Sequence, residues 1–102
     1  MLISMVGFSQ HFPEAKKLIN HRNLHYTDYT PMGSTIKDLY EIKVEYAMDF
    51  QKYLSSIEGF EQDYNDTYNT TFLSDNWKVV ISNREVEYEG SMIYYVTVTK
   101  RN

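Results

Sequence analysis

The chain contains no cysteine, which excludes a disulfide framework and a thiolate-ligated metal site and makes a reducing cytoplasm the expected compartment. Four glycines and two prolines are all that its 102 residues hold. So little glycine leaves no phosphate-cradling loop. The sequence also lacks a nucleophile turn of the Gly-x-Ser-x-Gly type and a His-Glu-x-x-His zinc motif. No apolar run approaches the length that spans a bilayer, and MLISMVGFSQ at the N-terminus has neither the basic start nor the long apolar stretch of a secretory signal. The sequons Asn65-Asp66-Thr67 and Asn69-Thr70-Thr71 are accordingly read as incidental. The expectation is a cytoplasmic, non-enzymatic protein without cofactor, metal or membrane association.

What is present is a core and a charge pattern. With 42% hydrophobic and 24% charged residues, the chain suffices for one folded domain over residues 1–102. Tyrosine is abundant, at ten residues. The net charge of −4 is unevenly spread: residues 38–75 hold nine acids against Lys43 and Lys52, whereas the flanking segments carry small positive excesses. A concentrated acidic block is the reverse of the footprint of a nucleic-acid binder.

Along the chain, LISMVGF at 2–8 reads as a buried strand. Pro13 and Glu14 open a short helix over 13–22, and residues 23–34, with Pro31 and Gly33, read as a loop. The segment from Thr35 carries two periods at once. Tyr40, Ile42, Val44 and Tyr46 alternate as a strand would. Ile36, Leu39, Tyr40, Ala47, Phe50, Tyr53, Leu54 and Ile57 instead follow one stripe of a helix, with Thr35 as N-cap and Gly59 as the stop. The greater length of the second pattern predicts a helix over 36–57. Its outer face would then carry an acidic stripe of Asp38, Glu41, Glu45 and Asp49. The stretch GFEQDYNDTYNTTF at 59–72 reads as an exposed acidic loop. WKVVIS, EVEYE and MIYYVTVT follow as strands of an antiparallel meander, with turns at Asn83-Arg84 and Gly90-Ser91, the latter of type II′. The predicted class is α+β, one short and one long helix packed on an antiparallel sheet.

Four constellations carry possible chemistry. His21 and His25 are four apart, with His11 and Asp28 as further ligands, but the predicted helix ends at Asn23 and Lys16, Lys17 and Arg22 would repel a cation. Asp38, Glu41 and Glu45 could pair for acid–base work, yet a solvated stripe does not separate their proton affinities. Tyr94 and Tyr95, with Tyr88, could stack on bases, opposed by Glu85, Glu87 and Glu89. The fourth is the acidic stripe joined to the loop residues Glu61, Asp63, Tyr64, Asp66 and Tyr68. Regular carboxylates imitate a nucleic-acid backbone, and tyrosines give rigid amphipathic contacts.

In general character (small, cysteine-free, acidic in one block, without catalytic motifs) the chain resembles the small inhibitors that phages encode against host nucleic-acid machinery, such as anti-CRISPR proteins. The resemblance covers no alignable stretch. It implies an inhibitor whose acidic surface enters the basic cleft of a protein partner and binds no nucleic acid itself. Two alternatives stand beside it. One is an assembly subunit or homodimer formed by strand addition at a C-terminal edge strand exposing Ile93 and Tyr95. The other is a sheet that binds nucleic acid.

Overall fold

The fold is that of a computed structural model, and the residues it describes are 12–32 and 35–101. The strand expected over 2–8, and His11, lie outside the described residues. The elements run α1 (Pro13–Leu18), β1 (His25–Met32), β2 (Thr35–Lys43), a 3₁₀ turn (Val44–Tyr46), α2 (Ala47–Ser56), β3 (Glu61–Asn65), β4 (Asn69–Leu73), β5 (Trp77–Ser82), β6 (Val86–Tyr88) and β7 (Ser91–Lys100). All strand pairs are antiparallel and join one seven-stranded sheet in the order β1-β2-β7-β5-β4-β3, with β6 also paired to β7. The two helices lie on this sheet, which makes the protein α+β as expected. Among the described residues no helix is long and apolar enough to cross a membrane.

Strand registry creates the core. Across β2, β7, β5 and β4 the pairs Asp38↔Val98, Tyr40↔Val96, Val79↔Val98, Ile81↔Val96, Phe72↔Val79 and Thr70↔Ile81 place these side chains on one face. All of them are buried. Because successive residues of a strand point to opposite faces, one register determines the whole set. Ala15 and Ile19 from the first helical segment, Phe50 and Leu54 from α2, and Phe60 cover this face and complete the cluster. Among the described residues no helix lies on the other face of the sheet. Antiparallel sheets tolerate this arrangement, apolar towards the helices and polar towards water.

The largest departure from the sequence expectation falls at 36–57. Its first third is a strand, and only Ala47–Ser56 is α-helix. The alternation of Tyr40 and Ile42 won because β2 is paired on both sides, with β1 and with β7, so its backbone groups are satisfied and its buried face fits the core. Lys43, a misfit in the helical reading, stands exposed at the end of the strand. The helical stripe is sound from Ala47 onward: Ala47, Phe50 and Leu54 are buried, and Gly59, at φ +93°, turns the chain into β3.

Two expected loops are also strands. Residues 25–32, within the expected loop 23–34, form β1, and residues 61–73 form the β3–β4 hairpin. At the C-terminus the three strands stand where expected, but β5 and β6 lie in line along the same side of β7, interrupted at 83–85. The tight turn is Glu89-Gly90 rather than Gly90-Ser91. Both residues have positive φ, 51° and 82°, the signature of a type I′ turn rather than type II′. A glutamate in this conformation is strained, and asparagine is the favoured partner of the following glycine. Glu89→Asn is therefore expected to raise stability by about 0.5–1 kcal/mol in urea denaturation.

Candidate functional site

The nine acidic and aromatic residues expected to form one surface are distributed by the sheet. Asp38 and Glu41 stand on opposite faces of β2. Asp38 is fully buried, and its Oδ2 accepts the backbone N–H of Phe12 at 2.9 Å, which ties the chain just before α1 to the sheet. Glu41 lies on the helix-free face between His25 of β1 and Tyr95 of β7. Glu45 is exposed on the 3₁₀ turn, and Asp49 is exposed on α2. No single stripe contains these four, because a strand alternates its side chains where a helix would have aligned them. The expected acidic helix face is thus corrected to one core carboxylate and three separate surface groups.

The loop residues fare differently. Glu61 and Asp63 are exposed on β3, which ends the strand order of the described residues. Tyr64 belongs to the same strand, its side chain outside the described residues. Asp66 opens the β3–β4 turn, where Oδ1 accepts the backbone N–H groups of Tyr68 and Asn69, each at 2.7 Å. That is the local role for which aspartate is selected at turns. Tyr68 projects from the same turn, 66% exposed. Glu61, Asp63 and Asp75 line a depression of about 320 Å³. Arg101 forms part of its wall, its Nη1 donating to the Ser74 carbonyl and its backbone N–H to the Asn76 carbonyl. The edge is therefore acidic around one committed cation.

Of the histidines, His21 is engaged on both ring nitrogens. Nδ1 accepts the backbone N–H of Asn23 at 3.1 Å, so the ring proton sits on Nε2, which donates to Asp49 Oδ2 at 2.9 Å. The ring also meets Phe50 and Tyr53 edge-on. A histidine held by a carboxylate resembles a catalytic pair, but a general base needs its second nitrogen free for the proton it takes. Here that nitrogen caps a turn. Among the described residues no group of three or more His, Asp or Glu side chains could hold a metal ion.

Sequence reasoning missed a groove of about 380 Å³ on the helix-free face. Lys37, Lys78, Thr71, Thr97, Ser82 and Tyr95 line it, with Val80 on the floor and Asp66 at one end. The signal was present in the alternation of MIYYVTVT, which sends Tyr95, Thr97 and Thr99 to one face and Tyr94, Val96 and Val98 to the other. The same alternation dissolves the expected tyrosine platform: Tyr94 packs against the core and Tyr95 faces away from it. Comparison of the chain with protein-family models, with curated proteins and with solved structures finds no match. The geometry alone carries the functional argument.

The burial of Asp38 makes a sharp prediction. Asp38→Ala leaves the Phe12 N–H without its acceptor and should cost about 1–3 kcal/mol in chemical denaturation, whereas Glu45→Ala should stay within about 0.5 kcal/mol.

Proposed function

We propose that the protein is a non-enzymatic binding module that offers the acidic β3 edge to a basic segment of a protein partner. The observation that carries this reading is the coincidence of a sheet edge with a run of carboxylates. β3 ends the strand order of the described residues, and Glu61, Asp63 and Asp75 line one depression beside it. An edge strand presents a row of backbone donors and acceptors that an extended peptide can join, the backbone bonds supplying affinity and the flanking side chains selectivity. Carboxylates beside that row would steer a lysine- or arginine-rich segment and disfavour an acidic one. Tyr68, at the tip of the same hairpin, supplies an exposed ring at the rim.

Charge on an edge strand also prevents uncontrolled pairing between copies, so the edge serves discrimination as well as capture. A basic nucleic-acid-binding surface is the partner class that such a charge pattern fits. Occupying it would exclude nucleic acid, the effect of an inhibitor. The contact proposed here lies on the hairpin edge rather than on the expected helix stripe. Strand addition at the last strand is not part of it: β7 has β2 on one side and β5 with β6 on the other, and Ile93 is buried, so the last strand offers no edge.

The test compares wild type with E61K/D63K/D75K in affinity capture from lysate, washed at low and then high salt. All three positions lie on the surface, and circular dichroism checks that the fold is retained. The expected result is a basic protein held by wild type at low salt, released as salt rises, and absent from the variant. An identical set of proteins on both baits would overturn the reading.

A further inference from the structure

We propose that the groove on the helix-free sheet face is a second, independent binding site, one that takes a small phosphorylated ligand of nucleoside monophosphate type. The argument starts from registry. Lys78 opposes Thr99 on β7, and Lys37 precedes Asp38, which opposes Val98 on the other side of β7. The two lysines thus stand in one row across the sheet, two strand spacings or roughly 10 Å apart at the backbone. Their long side chains can converge on one anion placed between them. Among the described residues neither amine has a carboxylate at ion-pairing distance. Lysine recognises phosphate as a point charge of this kind.

The rest of the groove suits a ligand body rather than an ion alone. From the lysine row the floor runs over Val80 and Thr97, which oppose each other, and Thr71, which opposes Val80. It reaches Tyr95 four residues along β7 from Thr99, or about 13 Å at strand rise. Tyr95, which lines that end, supplies an aromatic ring on which a base can stack. Beside it Ser82 and Asn69, which oppose each other, offer a hydroxyl and an amide to the polar edge of such a base. Asp66 closes this end. Its turn contacts use Oδ1 alone, leaving Oδ2 able to accept from an exocyclic amine.

Charge polarity along the groove fixes the orientation. The cations stand at one end and the carboxylate at the other, so the phosphate belongs at Lys37 and Lys78 and an amine-bearing base at Asp66. An adenine nucleotide satisfies both ends at once. The volume of about 380 Å³ falls within the range of small-molecule sites. The site is separate from the acidic edge: E61K/D63K/D75K leaves its lining intact.

The experiment is a ¹⁵N-HSQC titration of the whole protein with adenosine monophosphate, with inorganic phosphate and with adenosine in parallel. The expected result is saturable shifts at residues 71, 78, 80, 82, 95 and 97 with the nucleotide, at lower concentration than with either fragment. K37Q/K78Q should weaken nucleotide binding roughly tenfold or more, the loss of two charge-assisted contacts, while its own spectrum reports the fold. The single variant K78Q serves if the double variant is unfolded. Phosphate as effective as the nucleotide, shifts outside the groove, an oligonucleotide that binds more tightly through the same residues, or unchanged binding by the lysine variants would overturn the proposal.

Discussion

The pairing of β7 on both sides is the interaction on which the rest of the structure depends. Its ten residues hold β2 along one flank and β5 with β6 along the other, so the register of three neighbouring strands is set against a single template. A slip of one residue in that register would turn Val96 and Val98 outward and Thr97 into the core. The two faces of the molecule follow from it directly: a buried face of aliphatic and aromatic side chains under the helices, and a polar face bearing Lys37, Lys78, Tyr95 and Thr97. Asp38 belongs to the first set by parity, and its burial is sustained by the Phe12 N–H it accepts. Among the described residues, no buried side-chain nitrogen or oxygen lacks a hydrogen-bond partner, as a well-formed interior requires.

The class of the fold was legible in the sequence, and so were the features governed by short-range chemistry. Pro13 at the start of the first helix, the Ala47–Ile57 stripe, the turn at Gly59 and the three C-terminal strands are all decided by residues close together in the chain. What was not legible is decided at long range. Residues 36–43 carry a helical and a strand period together, and the choice between them is made by β1 and β7, the partners on the latter lying 50 to 60 residues away. β1 itself is obscured by the bulge between Tyr26 and Asp28 and by Pro31, devices that suit an edge strand and break the alternation by which strands are recognised. The β3–β4 hairpin was hidden by its acidity. Among its described side chains only Thr70 and Phe72 are buried, and so polar a composition carries no strand alternation to recognise.

The same geometry explains why part of the candidate surface survived and part dissolved. Asp38, Glu41, Glu45 and Asp49 share a helical face only if a single helix contains them all. Divided among a strand, a 3₁₀ turn and a shortened helix, they become a core group, a groove-side group and two unrelated surface charges. Glu61, Asp63 and Asp75 gain coherence instead, because hairpin pairing brings Glu61 opposite Leu73, next to the segment that carries Asp75. The acidic middle of the sequence thus becomes an acidic edge, and the weakly basic segments on either side of it contribute Lys37 and Lys78 to the open face. Charge that looks segregated along the chain is segregated in space by a different rule, the parity of strands.

The most direct test of this account is the conformation of residues 35–43 in solution, read from ¹³Cα and ¹³Cβ secondary shifts together with backbone NOEs. Extended-chain shifts and cross-strand NOEs linking residues 38–43 to 93–98 are the predicted result. Helical shifts running without a break from 36 to 57, with no contact to the last strand, would contradict it: the core face, the open groove and the acidic edge would then all have to be redrawn.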